Sequence, residues 1–464
     1  MVPLPLAEVL ALAAEFERGG RLGEAARLVE HAAAVAPEAP DVLHLRAILA
    51  FRDKRLPEAL VLMERAALGN PLAPLIARNL CELYRVCGRL DDALAAGQRA
   101  VELGPGDAMA HHHLALVHYE RLEIAAATAW ARQAIAVEPA MPGAHFELAE
   151  CLLVQGEFAA GWEEYEWRFR VAGAPALMPA TDRPQWDGAA LDPAGAGLLL
   201  IADQGFGDVI QFARYIPWVR RRCPNVAIAC SIEVDSLLRQ IAPDVPIFQA
   251  WEKAPPFAAF CPLSGLPRLH GTRGDNVPAD VPYLRPDPAR LAQWRGRLDA
   301  LVPPGYRRLA IAWAGRPSHT NDRNRSTSLA RFAPLAAVPG VALISVQKGE
   351  AAAQAGGYFG RAPLVNLGAE IGDFDDTMAI LALCERLVSV DTALVHLAGA
   401  MNHPTTVLLP RAPDWRGLLG RGDTPWYPSV SLLRQDARRS YEVLIAELAE
   451  QLIPAAGMTG VSAL

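Results

Sequence analysis

A spacing of 34 residues governs the first third of the chain. Pro37, Pro71, Pro105 and Pro139 recur at that interval, and so do Ala25, Ala59, Ala93 and Ala127, and Ala32, Ala66, Ala100 and Ala134. Phe16 and Tyr84 share a register, as do Leu12, Leu80, Leu114 and Leu148. A fixed period of this length marks one supersecondary unit that is repeated and stacked, because a single unit cannot bury its apolar face alone. The small residues let paired helices approach closely. Proline, which has no N–H to donate, ends the second helix of each pair.

The period, its two small positions and its closing proline resemble the tetratricopeptide repeat. The spacing predicts four helix pairs through Pro139 and a fifth that starts near Pro142 and turns at Gly156. The fifth runs into Phe158-Ala-Ala-Gly-Trp-Glu-Glu-Tyr-Glu-Trp-Arg-Phe169, whose aromatics are expected to cap the solenoid against the next domain. The repeat domain is therefore read as residues 1–170. Such a solenoid offers a concave groove to a protein or peptide, with His111, His112, His113 and His118 as candidate groove-facing residues. Consecutive helical residues point apart, so the triple histidine reads as a solvated face or peptide contact and not as a metal tract. The competing reading of this arm is a stabilising or dimerising scaffold.

The chain has 464 residues, enough for roughly three domains. A hydrophobic fraction of 52% and a charged fraction of 20% describe a globular protein. A net charge of −7 argues against a general affinity for nucleic acid or anionic membrane. The seven cysteines form no Cys-x-x-Cys pair and read as reduced, buried thiols. The opening residues lack a basic stretch before an apolar one, and no apolar run reaches the ~20 residues of a membrane span. No membrane span and a cytoplasmic location are the expectation.

Residues 171–193 are rich in proline and glycine, including Pro175, Pro179 and Pro184, and read as an ordered connector that Trp186 could pin. From residue 194 the pattern alternates between strands and helices. Leu198–Ala202 is a buried strand. Gly205 and Gly207 follow, then Asp208, then a helix over Val209–Arg222 with a kink expected at Pro217. Strand, glycine turn and helix together bring backbone N–H groups and a helix start close to a ligand, often an anionic one. The turn could also serve only to join the two elements. Further strands are expected at Val226–Ser231 and Phe257–Pro262, and a helix at Val234–Ile241, giving a Rossmann-like domain over 194–302. A second such domain spans 303–464. Its strands are expected at Arg308–Gly315, Val341–Gln347, Arg386–Val390 and Thr405–Leu409, its helices at Leu329–Ala337, Asp373–Cys384 and Tyr441–Leu452, the last placed to pack across the domain pair.

Two loops of the second domain are chemically dense. Arg316, His319, Arg323 and Arg325 lie within ten residues of one another, and arginine binds phosphate oxygens bidentately. An exposed basic loop balanced by Asp322 is the alternative. Asp391, Thr392 and Ala393 follow a buried strand and begin a helix whose N–H groups can meet an anion. His396 lies one turn on, on the side of Thr392, and reads equally well as a core histidine. Lys348 ends another strand. Asp373-Phe-Asp375 heads a helix and reads as a cap.

Three groups of residues look like the family 9, heptosyltransferase-like glycosyltransferases in their tetratricopeptide-fused bacterial branch. They are Gln204-Gly-Phe-Gly-Asp208 with Gln211 and Arg214, Ser389-Val-Asp-Thr-Ala393 with His396-Leu-Ala-Gly-Ala400, and Asp414-Trp-Arg416 with Thr424-Pro-Trp-Tyr-Pro428. The architecture is also similar to that of O-GlcNAc transferases and flagellin-modifying transferases. The resemblance covers nearly the whole chain and implies a GT-B fold, two Rossmann-like domains facing a cleft, after the helical solenoid. It implies inverting, metal-independent transfer from a nucleotide sugar, with no other cofactor, to a protein acceptor held by the repeats. It makes Asp208 the general base and puts Asp391 and Thr392 on the donor's ribose and phosphate. Arg325 stands where the family has a phosphate-binding lysine. Gly205, Gly207, Gln211, His319, Arg323, Lys348, Ala393 and His396 complete the expected donor side. The chain departs from the branch at Asp203, at Met401-Asn-His403 and at Gly417, which leaves the nucleobase open. The rival functions are a repeat adaptor without activity and a transferase acting on a glycan or lipid.

Overall fold

The computed structural model describes residues 5–171, 178–278, 280–319, 321–438 and 440–453. The first four residues, Pro175 of the connector and Thr320 of the basic loop fall outside them. The chain divides into two units, Met1–Cys151 and Leu152–Leu464.

The first unit is built of paired helices. They are α1 (Leu6–Arg18) with α2 (Leu22–Val35), α3 (Pro40–Arg52) with α4 (Leu56–Gly69), α5 (Pro74–Val86) with α6 (Leu90–Leu103), and α7 (Ala108–Glu120) with α8 (Ile124–Val137), followed by α9 (Pro142–Val154). The leading helices begin at residues 6, 40, 74, 108 and 142, so the 34-residue period of the sequence is the period of the fold. The eight periodic alanines are each no more than 1% exposed, which is why larger side chains are absent there. The turn inside each pair passes through the left-handed region, at Gly20, Lys54, Gly88 and Leu122, with φ between 61° and 76°. Glycine adopts that conformation freely; lysine and leucine do so at a cost.

Successive leading helices are tied by polar pairs. Arg52 donates to Glu17 at 2.8 Å, Asn79 meets His44 at 2.8 Å, and Arg85 pairs with Glu120. The three consecutive histidines diverge as expected. His111 stacks on Trp130 with centroids 5.5 Å apart, His112 lies against Gly143, and His113 meets the carbonyl of Arg78 at 3.2 Å. His111 is buried in helix packing and so does not face a groove.

The second unit opens with α10 (Phe158–Tyr165) and a 3-10 turn, Glu166–Arg170. The division between the two units falls at 151/152, ahead of residue 170, where the sequence places the end of the repeats. The reason is the aromatic face of α10. Trp162 donates to the Thr272 carbonyl at 3.0 Å, and its ring meets Trp415 edge-on at 5.1 Å and Trp426 at 6.4 Å.

The first sheet contains β1 (Gly197–Ile201), β2 (Val226–Ala229), β3 (Ile247–Phe248) and β4 (Phe257–Pro262), all parallel, in the order β3-β2-β1-β4. Its helices are α11 (Phe206–Phe212), α12 (Ile216–Arg220), α13 (Ile232–Ile241) and α14 (Leu266–His270). The expected helix at Val209–Arg222 starts earlier and breaks into a 3-10 turn, Ala213–Tyr215, before α12, because Pro217 can only sit at a helix start. The connector is ordered where it is described. Gln185 bridges to Phe260 beside β4, and Trp186, 2% exposed, packs against Trp218.

Helix α15 (Pro288–Leu301) leads to the second sheet. Along the chain come β5 (Arg307–Ala312), α16 (Asp322–Arg325), α17 (Ala333–Ala336), β6 (Val341–Ser345), β7 (Leu364–Asn366), α18 (Phe374–Ala382), β8 (Arg386–Val390), α19 (Ala393–Ala400), β9 (Thr405–Leu409), β10 (Val430–Arg434) and α20 (Tyr441–Leu452). The six strands are parallel, in the order β10-β9-β8-β5-β6-β7. The expected helix at Leu329–Ala337 is split into a 3-10 turn and α17 by Pro334. Strand β5 stops at Ala312 because the amides of Trp313 and Ala314 go to the side chain of Gln347, each at 2.9 Å. Alternate residues of β5 serve opposite faces, as a strand's period of two requires. Leu309 and Ile311 pack in the layer that holds Tyr441, Leu444 and Leu448 of α20, so α20 covers its own sheet instead of crossing to the first. Ala310 and Ala312 join a cluster that also takes in Ile210 of α11 and Leu237 of α13. The two sheets thus share a core, and that core fixes the loops between them.

Candidate functional site

In an open parallel sheet, ligands bind beyond the carboxyl ends of the strands where the strand order reverses. The second sheet reverses between β5 and β8, and the first between β1 and β4. The glycine turn follows β1, the basic loop follows β5, and Asp391 and Thr392 follow β8. The three dense stretches of the sequence therefore all lie at such points.

Helices α11 and α19 bring the two sides together. A Cβ added to Gly207 would lie 2.7 Å from His396 Cδ2 and 3.3 Å from Ala393 Cα. Gly207 is thus required for the contact of one helix with the other. His396 is buried in this contact, with Nδ1 3.1 Å from the Tyr427 hydroxyl. Burial, aided by Arg416 and Arg214, holds its imidazole far below the usual range and therefore neutral. Arg316 of the basic loop lies over the ring of Phe206, 5.6 Å from its centroid, so that loop reaches the glycine turn.

At the centre is Asp208, in the first turn of α11, with 24% of its side chain open. Its Oδ1 accepts from Arg416 Nη2. The same guanidinium donates to both oxygens of Asp414, at 2.9 and 3.0 Å, and through Nε to Gln211 Oε1. It lies 4.1 Å over the Trp415 ring. Burial pushes the Asp208 carboxyl above the usual carboxylate range; Arg416 opposes that push, Asp414 adds to it, and His319 opposes it. The Asp391 carboxyl is pushed up to about 6, first by burial and then by Asp414, against Arg416 and Arg325. Asp208, Asp391, Asp414, Arg325, Arg416 and His319 therefore share one electrostatic field.

The remaining candidates fall into place around this cluster. Gly205 precedes α11. Gln211 is fully buried, with its amide nitrogen unpartnered. Thr392 stands at the start of α19 without a side-chain cap, 3.4 Å from the Ser389 hydroxyl. Arg325 folds back on Gly315 and donates to Asp322 at 3.3 Å, so Asp322 is a bonded partner within the basic loop. Arg323 is exposed and hydrogen-bonds Asn324 at 3.1 Å. Lys348 gives its ammonium to the carbonyl of Ile371. Asp373 caps α18 by accepting from the Asp376 amide. Among the described residues, no three of His, Cys, Asp and Glu group as a metal site.

Sequence reasoning assigned no role to Asp414 or Arg416, although both lie in a short Asp-Trp-Arg run soon after β9. Nor did it place Tyr165, whose hydroxyl donates to Gln204 at 3.3 Å beside the glycine turn. Asp203 is buried and accepts from the Ser264 amide at 3.1 Å; Ser264 in turn accepts from Arg168 at 3.0 Å. The end of β1 is in this way fixed to the segment that follows α10.

A family model described as Tetratricopeptide repeat matches residues 112–166. Protein FlbA of Caulobacter vibrioides is 27% identical over 364 residues, an alignment that takes in 71% of this chain and 59% of FlbA. The chain thus spans about three fifths of that relative. Among solved structures, the Thermus thermophilus tetratricopeptide protein TTC0263 is 24% identical, covering 36% of this chain and 92% of that one, with a TM-score of 0.33. Pseudomonas aeruginosa pilF is 16% identical over 37% and 79% of the two chains, with a TM-score of 0.34. The helical solenoid of the first unit is a tetratricopeptide array, and the second unit is α/β. Among the described residues no helix is long and apolar enough to cross a membrane.

Proposed function

We propose that the chain is a glycosyltransferase of the GT-B, family 9-like kind, transferring a sugar from a nucleotide sugar to a protein recruited by the repeats. One observation carries this reading. Asp208 from one parallel sheet lies in the same electrostatic field as Asp391 and Arg325 from the other, at the two places where such sheets bind ligands. The donor's diphosphate would lie against Arg325 and the N–H groups at Asp391–Ala393, and its ribose against Asp391. Asp208 would take the proton of the acceptor hydroxyl. That oxygen forms its bond to the anomeric carbon as the bond from carbon to phosphate oxygen breaks, and the nucleoside diphosphate leaves with the electron pair. Arg325 offsets the charge that develops on it. The repeat groove supports a protein or peptide acceptor.

The test is a thermal-shift screen of the intact chain against UDP, GDP, ADP, CMP and TDP, followed by calorimetry on the best binder. Arg325→Ala removes a charge-assisted contact of roughly 1.5–3 kcal/mol, so affinity falls about ten-fold or more. Unchanged affinity in that variant takes Arg325 out of the site, and no stabilisation by any nucleotide argues against the donor reading. The Asp208–Arg416 ion pair favours a second reading, in which Asp208 only supports the structure; substitution of Asp208 itself separates the two.

A further inference from the structure

We propose that Arg416 is the positioning residue for Asp208, gripping one carboxylate oxygen and keeping the group ionised for proton transfer. This rests on the reading of Asp208 as the base. The grip is itself held from every side. All three guanidinium nitrogens are engaged, by Gln211, Asp414 and Asp208. Gln211 is fully buried, so its carbonyl has a fixed direction. Beneath the guanidinium lies Trp415, 1% exposed and itself wedged edge-on against Trp162 and Trp426, at 5.1 and 5.4 Å. A planar fork suits this geometry and an ammonium does not. Asp414, by taking two of the fork's bonds, sets the direction of the third.

The charges around Asp208 show what Arg416 does there. From the segment after β9 come Arg416 and Asp414, from the segment after β5 His319, from the start of α19 Asp391, and from the end of β1 Asp203. Three of these are carboxyls. Burial and Asp414 both drive Asp208 toward its protonated form, and Arg416 is the strongest charge opposing them. A protonated Asp208 could not take a proton.

The experiment is a carbon NMR titration of the full chain labelled at the aspartate carboxyl carbon, with the Asp208 resonance assigned by its loss in Asp208→Asn. Removing an opposite charge at this range moves an aspartate midpoint by about 1–3 pH units. Arg416→Gln should raise the Asp208 midpoint by that amount, and Arg416→Lys should return it toward the unsubstituted value. Arg416→Gln leaves two carboxylates uncompensated and could fail to fold. Asp414→Asn, which keeps the acceptor oxygen for Arg416, then carries the test and should lower the midpoint. In a transfer assay the acid limb of the pH–rate profile should move with each midpoint. Midpoints that stay at the unsubstituted value in every folded variant overturn the proposal. Midpoints that move in a chain that transfers no sugar uphold the grip of Arg416 on Asp208 and sink the transferase reading instead.

Discussion

Gly207→Ala adds a single methyl where α11 meets α19. Built on the present backbone, that carbon lies 2.7 Å from His396 Cδ2 and 3.3 Å from Ala393 Cα, whereas carbon atoms settle at about 3.5–4.0 Å. His396 cannot swing aside, because it is buried and held by Tyr427 at 3.1 Å. The other contact is backbone. The helices must therefore separate by most of an ångström. Overpacking of this kind costs about 1–3 kcal/mol, or about 2–5 °C in the melting temperature of a unit this large. The same movement shifts Asp208, the next residue, away from Asp391 and Thr392, and a misplacement near 1 Å costs up to ~10²-fold in rate. Calorimetric melting and a transfer assay read the two effects. Gly296→Ala, where nothing lies within 4 Å of the added carbon, is the control and should be neutral or slightly stabilising. A Gly207→Ala chain that melts with the parent would refute the close approach as a constraint.

Two predictions concern the repeat unit. Lys54 is exposed and has φ 61°, so Lys54→Gly relieves a left-handed residue worth roughly 1–2 kcal/mol and returns part of that as chain entropy. The urea midpoint of this unit should rise; a fall would contradict the turn geometry. Glu147 is 6% exposed, and burial, with Arg85 opposing and Glu120 adding, pushes its carboxyl up to about 7. The folded chain then holds this proton more tightly than the unfolded chain. The stability it contributes is full below about pH 4.5 and is lost as the pH rises to about 7, on the order of 3 kcal/mol. Glu147→Gln should match the parent near pH 4.5 and exceed it at pH 8 in chemical denaturation, and an unaltered pH slope would count against the assignment.

The repeat was legible because every unit reuses the same buried alanines and the same closing proline. The two turns at Lys54 and Leu122 were not, since the left-handed conformation there is set by the helix pair and not by the residue. Strands β3 and β7 span two and three residues, too few to show alternation, and α15 buries only Trp294 and Leu298, so it shows no apolar stripe. At the site, the glycine turn and the start of α19 were readable as strand-to-helix junctions. The pairing of Asp208 with Arg416 was not, because it joins loops of two different sheets and depends on a shared core. The aromatic run of α10 was legible, but its membership in the second unit emerges only from what Trp162 touches.

The role of Asp208 as base is tested most directly by measuring transfer rate, nucleotide affinity and melting temperature together in Asp208→Asn. A base acts on the acceptor, and the isosteric amide cannot take the proton. Transfer should fall about 10²–10⁴-fold, while nucleotide affinity stays near that of the parent and the chain remains folded. Full turnover in a well-folded Asp208→Asn chain with parental nucleotide affinity would contradict the account.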